Sequence, residues 1–261
     1  MSGFRLNIKT KYVDTSKPIK FTFDGKEYSG YEGDTLASAL LANGELVLAR
    51  SFKYHRPRGV YSAGSEEPNA LVSIRNDGRL EPNCTATTVE IYEGLKTYSQ
   101  NAWPSLAFDI MAINQWFSPL LVAGFYYKTF MGTGQKFWHF CEHFIRRAAG
   151  MGKAGLIADP DRYEKSNIFT DVLIIGAGPA GLNAAKEMIS SSKKILIVDE
   201  NKHLGGSLAE ESGTIDGITP DAWLADTLNS LSDCENVNIM PRTSVYGYFD
   251  NNTLGAIERI A

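Results

Sequence analysis

Residues 171–200 read DVLIIGAGPAGLNAAKEMISSSKKILIVDE, and this run restricts the fold more than any other part of the chain. Val172 to Ile175 is a continuous apolar run, as expected of a parallel strand covered on both faces. The turn Gly176-Ala177-Gly178-Pro179-Ala180-Gly181 follows at once, and then a helix with Leu182, Ala185 and Met188 on one face. Each glycine has a physical task in such a unit: Gly176 allows the tight turn, Gly178 lets backbone approach a pyrophosphate, and Gly181 lets the helix pack closely on the strand. Phosphates would sit at the helix N-terminus, where free N–H groups and the helix dipole favour anions. A second apolar strand, ILIV, ends in Asp199-Glu200, at the separation where an acid meets ribose hydroxyls. An acid there repels a 2′-phosphate, which favours NAD or FAD over NADP. A lone G-x-G-x-x-G motif says little, but within a strand–turn–helix–strand frame it predicts a Rossmann-like dinucleotide-binding domain.

Downstream features extend the same site. Leu204-Gly205-Gly206-Ser207 places paired glycines where backbone can pass close to a dinucleotide; an ordinary loop is the alternative. The pattern ILIVDEN followed by LGG is typical of flavin-disulfide-reductase-like domains, which bind either FAD or NAD, and the residues alone leave both open. NVNIMPRTSVYGYFD supplies a third strand, with Val245 where such folds bring backbone near the adenine. The chain then stops at GAIERIA, inside what reads as a β-meander, so a fragment or a truncated reading frame is expected.

Upstream, the texture differs. Residues 1–98 are rich in short β-prone runs and turn signals. IKFTFDGKEYSGY alternates around Asp24-Gly25, a hairpin pair. GDTLASALLANG predicts a short helix capped by Asp34 or Thr35, with Leu36, Ala39, Leu40 and Ala42 apolar and Asn43-Gly44 at its end. With further strands at ALVSI and TTVEIY, the order predicts a β-grasp. Residues 99–167 are crowded with aromatics and broken by Pro104, Pro119 and Gly132-Thr133-Gly134, and read as a helical connector. Residues 168–261 form the dinucleotide-binding domain, incomplete at its C-terminal end. The expected class is α/β combined with α+β.

Bulk properties exclude several roles. At 43% hydrophobic and 21% charged residues the chain can bury a real core. A net charge of −4 lacks the basic excess of a nucleic-acid binder. The cysteines Cys84, Cys141 and Cys234 are odd in number and widely spaced, which fits a reducing compartment, and no apolar leader opens the sequence; a cytoplasmic location is expected. Ile110 to Tyr127 is uncharged over nearly the length of a membrane span, but Asn114, Gln115, Ser118 and Pro119 interrupt it. It reads as a buried or interface segment rather than a span. His139-x-x-Glu142-His143 matches a zinc pattern, but aromatics surround it and no third ligand follows. A packed helix end is expected there, and no metal site. The basic run Arg50, Lys53, Arg56 and Arg58, with Tyr54 and His55, fits either an anion or partner contact or a solvated loop.

Several long blocks carry a wider resemblance: RSFKYHRPRGVYSAGSEEPNAL, SQNAWPSLAFD, AGFYYKTF, IRRAAGMGKAG and DPDRY, in this order ahead of DVLIIGAGPAGL. With them the chain resembles the α subunits of heterotetrameric sarcosine oxidase, over nearly its whole length but over only the first quarter or so of a family α subunit. The resemblance implies β, γ and δ partner subunits and a tetrahydrofolate-linked oxidation of sarcosine to glycine with peroxide formation. It implies FMN or FAD held through the partner, and NAD on Gly176, Gly178, Gly181, Asp199, Glu200, Gly205, Gly206 and Val245, with Ala177, Pro179, Ala180 and Ser207 in the same turns. It implies no catalytic residue on this stretch. A non-catalytic module from a truncated gene and a related amine or opine dehydrogenase subunit are the competing readings. Ser62, Glu67 and Ala70 stand at the C-x4-C-x2-C spacing of a plant-type cluster loop. In relatives such as hydrogen cyanide synthase, which resemble the N-terminal part, cysteines occupy those places and Cys84 matches the fourth. The expectation is a ferredoxin-like β-grasp that has lost its 2Fe–2S cluster.

Overall fold

The computed structural model describes residues 4–6, 11–76, 79–124, 134–148, 157–158, 162–209 and 211–260. The chain divides into two compact units, Met1–Asp161 and Arg162–Ala261.

The first unit begins with the hairpin β1 (Asp14–Phe23) and β2 (Lys26–Glu32), paired antiparallel around Asp24 and Gly25, both at positive φ. That conformation is the one a two-residue hairpin turn requires. Alternation along these strands turns Phe21, Phe23 and Tyr28 inward. Helix α1 (Leu36–Ala42) follows; the Thr35 side chain accepts from the Ser38 N–H, as an N-cap should. Its Leu36, Ala39 and Leu40 are fully buried against the sheet. The short β3 (Ala49–Arg50) and β4 (Pro57–Arg58) pair with each other, then β5 (Leu71–Asn76), β6 (Arg79–Thr85) and β7 (Lys96–Ser99) complete a sheet of order β2-β1-β7-β5-β6. Strand β7 runs parallel to β1, with Phe23 opposite Thr97. A hairpin, a helix across it and a parallel central strand make the β-grasp.

TTVEIY, expected as a strand, is instead loop with an isolated bridge at Glu90. Its backbone is used elsewhere: Leu36 and Ala37 donate to Val89 and Ala86 oxygens, and the Ile91 N–H reaches Asp34 O. The start of α1 takes the bonds that a sheet would have used. The strands formed in its place are β6 and β7.

The aromatic region forms a 3-10 helix, Ile110–Gln115, followed by turns to residue 124. Residues 110–124 are exposed or half-buried in this chain, not buried. Among the described residues no helix is long and apolar enough to cross a membrane. The stretch GFYYKTF, for which partner contact and intrachain core were both open, lies outside the described residues after Gly124. Helix α2 (Gln135–Ala148) carries the zinc-like pattern. Its Glu142 pairs within the helix with Arg146 and, at 3.5 Å, with His139. Arg146, with His139, holds the Glu142 carboxyl below the usual carboxylate range.

The second unit is a parallel sheet of order β10-β9-β8, from β8 (Val172–Ile175), β9 (Ile195–Val198) and β10 (Val237–Met240). Helix α3 (Pro179–Met188) links β8 to β9, and α4 (Pro220–Ser232), capped by Thr219, leads into β10. Ile174, Leu182, Ile195, Ile197, Trp223 and Leu231 form the core between sheet and helices. The single third strand expected from NVNIMPRTSVYGYFD is two: at Pro241-Arg242, where Arg242 takes positive φ, the chain leaves the sheet and forms a separate hairpin, β11 (Thr243–Phe249) with β12 (Thr253–Glu258).

Leu40 is fully buried in the first unit's core. Leu40→Ala is expected to lower the stability of this unit by about 2–5 kcal/mol, measured by urea denaturation followed by circular dichroism.

Candidate functional site

The glycine turn sits between β8 and α3, at the C-terminal edge of the parallel sheet, where open α/β sheets bind their ligands. Gly176 takes φ +98 and its N–H donates to Val198 O at 2.8 Å, locking the turn to the neighbouring strand. Gly178 is the N-cap of α3 and has no side chain to cap it. The first helical rung is Leu182 N–H to Gly178 O at 2.9 Å, and Pro179 carries no N–H. The N–H groups of Ala180 and Gly181 thus precede the ladder, as donors suited to an anion.

The three glycines differ in what surrounds them. A Cβ on Gly178 would meet nothing within 4 Å, so the space above the turn is open. A Cβ on Gly181 would lie 2.0 Å from Gly176 O and 3.1 Å from Ile174 Cγ2. Absence of a side chain is a requirement of packing at Gly181 and leaves room for a ligand at Gly178.

The acid at the end of β9 is tied to this turn. Asp199 is 8% exposed. Its Oδ2 accepts the Ala177 N–H at 2.7 Å and its Oδ1 the Asn201 N–H at 2.8 Å. Two of its four acceptor positions remain for hydroxyl groups. Glu200 is half-buried beside it, and its backbone oxygen accepts from Arg259. The paired glycines also return to the turn: the Gly205 N–H donates to Ala177 O at 2.9 Å. Gly206, at φ +53, lies so close that a Cβ would come within 3.2 Å of Gly178 Cα. Ser207 is exposed and lines, with Pro179, Leu208, Glu211 and Thr214, a cavity of about 200 Å³ next to the helix N-terminus. Val245 is half-buried on β11, two residues after Thr243, whose N–H donates to Asp199 O. The structure therefore gathers Gly176, Ala177, Gly178, Asp199, Gly205 and Gly206 into one bonded cluster. Pro179, Ala180, Gly181, Glu200, Ser207 and Val245 lie along the elements around it. These residues suit an adenine dinucleotide: an open helix N-terminus for pyrophosphate and a carboxylate for ribose.

The basic run in the first unit has an internal role that its spacing does not reveal. His55 Nδ1 lies 2.7 Å from Asp109 Oδ2, with both side chains almost wholly buried. Arg50 donates to His55 O and Leu106 O, and the Tyr54 hydroxyl to Leu121 O. Lys53 and Arg56 lie near the Tyr54 ring, 4.8 and 4.9 Å from its centre. These contacts fasten residues 50–56 to residues 103–121; no sequence signal links His55 to an acid fifty-four positions away.

At the cluster-like spacing, Ser62, Glu67 and Ala70 lie on the loop between β4 and β5, and Cys84 on β6 opposite Val72. Glu67 is 3% exposed and accepts four backbone N–H groups. Cys84 donates to Glu81 O at 3.5 Å; burial, with Glu81 nearby, pushes its thiol up to about 11. Among the described residues no three histidine, cysteine or acidic side chains gather as a metal site.

Comparison with known proteins bears on both regions. Residues 16–102 match a family described as a 2Fe-2S iron-sulfur cluster binding domain, and residues 171–232 match the FAD dependent oxidoreductase family. The chain is 52% identical over its full length to sarcosine oxidase subunit alpha of Rhizobium meliloti (strain 1021), covering 26% of that protein. It is 33% identical to sarcosine oxidase subunit alpha of Corynebacterium sp. (strain P-1), over 95% of this chain and 21% of the relative. The chain thus spans about a quarter of the length of the curated relatives it matches. L-proline dehydrogenase from P. horikoshii shares the fold, with a TM-score of 0.56 and 22% identity, over 93% of this chain and 37% of that structure. The β-grasp of the first unit is therefore that of a 2Fe–2S domain, but its residues do not fit a cluster. Two irons bridged by sulfide require four terminal ligands, and the four places here hold a serine, a hydrogen-bonded glutamate, an alanine and one protonated thiol.

Gly178→Val is expected to fold normally, since φ −76 suits any residue and the space is open, and to weaken dinucleotide binding roughly 100-fold or more. Gly181→Val is expected to lower the melting temperature of the second unit instead. Calorimetric titration with NAD and with FAD, beside thermal melts, separates the two.

Proposed function

We propose, on the premise that the chain resembles the N-terminal region of sarcosine oxidase α subunits along its whole length, that it binds NAD at the glycine turn and docks a flavin-bearing partner in an amine-oxidising complex. The observation that carries this reading is the uncapped N-terminus of α3, open above Gly178 and linked through Ala177 to the Asp199 carboxylate. Ala180 and Gly181 N–H groups would hold the pyrophosphate, and Asp199 with Glu200 would take the ribose hydroxyls. Gly205 and Gly206 keep the covering loop close enough for backbone contact, and Val245 borders the adenine. The partner's flavin supplies the two-electron acceptor for the amine. The resemblance implies no catalytic base on this stretch, and the chain's role in this reading is binding and assembly. Sarcosine as substrate, glycine and peroxide as products, β, γ and δ subunits as partners, and the cytoplasm as location belong to the same proposal.

A second reading places FAD at the same turn, favoured by the match of residues 171–232 to an FAD-dependent family.

The test is co-expression with the neighbouring gene products, purification through a tag on this chain, and mass spectrometry of the cofactors released on denaturation. NAD equimolar with this chain, lost in Gly178→Val, supports the first reading. FAD lost in the same variant selects the second. Partner-free chain, or a complex whose cofactors do not respond to Gly178→Val, overturns the proposal. The chain by itself is expected to release no peroxide from sarcosine, as a coupled peroxidase assay reports.

A further inference from the structure

The loop Gly59–Ala70 holds an anion, and that anion is part of the chain. Both oxygens of the Glu67 carboxylate are in use: Oε2 accepts the Tyr61 and Ser62 N–H groups, each at 2.6 Å, and Oε1 those of Asn69 and Ala70, at 2.7 and 3.0 Å. Four donors fill the four lone-pair positions of a carboxylate. The group therefore closes the loop, joining residues 61–62 to residues 69–70, and keeps no acceptor for a metal. Loops that bind an iron–sulfur cluster present backbone N–H groups to the anionic sulfurs. With no anion, four inward N–H groups would be left buried without partners, each at a cost. Ser62 Oγ, at the first of the ligand positions, is buried and meets no hydrogen-bond partner. Thr87 fastens the middle of the loop by donating to Gly64 O.

We propose that Glu67 is a built-in anion that takes the place of an iron–sulfur cluster in organising this loop, so that the first unit keeps its shape without iron and lies outside any electron path of the complex. The charge balance supports it. Burial by itself would raise the Glu67 carboxyl, but the Ser62, Asn69, Tyr61 and Ala70 N–H groups outweigh burial and hold it below the usual carboxylate range. A carboxyl depressed in the folded state adds stability that is present above the unfolded carboxyl range and is lost as pH falls through the folded value.

The experiment is hydrogen exchange on the full chain at neutral pH, wild type beside Glu67→Gln. The amides of Tyr61, Ser62, Asn69 and Ala70 are expected to exchange at least about tenfold faster in the variant, because a bond to a charged acceptor is lost or weakened at each, while those of β1 and β5 keep their protection. Unchanged exchange at the four amides overturns the proposal. Should Glu67→Gln not fold, carboxyl-carbon NMR of the wild type decides: titration below the ordinary glutamate value supports the proposal, and titration at or above it overturns it. Reconstitution with ferrous iron and sulfide tests the substitution itself. Wild type is expected to take up no stoichiometric iron, whereas Ser62→Cys/Glu67→Cys/Ala70→Cys, with Cys84 retained, is expected to gain iron and visible absorbance. A cluster on the wild type, or a folded triple variant that stays colourless, overturns it.

Discussion

Backbone N–H groups turned inward by tight loops must find acceptors, and in this molecule buried carboxylates supply them repeatedly. Asp34 accepts the Tyr31 N–H and the Ser38 hydroxyl at the start of α1. Asp109 accepts the N–H groups of Trp103 and Met111 while it holds His55. Glu67 closes the loop before β5, and Asp199 joins β9 to the glycine turn. All four are nearly inaccessible to water. A buried acid is tolerated where its charge meets several aligned donors; Asp34 and Glu67 each close a local turn or loop, while Asp109 and Asp199 each join segments far apart in sequence.

The same device has opposite outcomes in the two units. At the glycine turn Asp199 accepts one N–H of the turn and does not cap the helix N-terminus, with space above Gly178. In the Gly59–Ala70 loop the carboxylate is centred among the donors and saturated by them. An anion-binding geometry that is open accepts a ligand; one that is already filled is a structural element. That contrast supports the proposed ligand site in the second unit, although the fold of the first is one that elsewhere carries a metal cluster.

Much of this was legible in the residues. Asp24-Gly25 sits at its hairpin, Thr35 at its cap, and the strand–turn–helix–strand run around Gly176 at the stated places, because each depends on neighbours within a few positions. TTVEIY misled, since β-branched residues favour a strand only when a partner edge is free, and here α1 takes the backbone bonds first. The stretch after Asp109 read as a buried or interface segment; within this chain it forms short turns with many apolar side chains exposed, which leaves the interface alternative and not the buried one.

The amino-acid order by itself determined the local units, since turn chemistry, capping and the period of apolar residues act over one or two turns of chain. It also showed at Ser62, Glu67 and Ala70 that cluster ligands are missing. Only the tertiary structure decided what Glu67 does instead, that His55 meets Asp109, and that Asp199 bonds to Ala177. Those contacts depend on where folded segments converge, and a carboxylate's role follows from the donors that surround it in space.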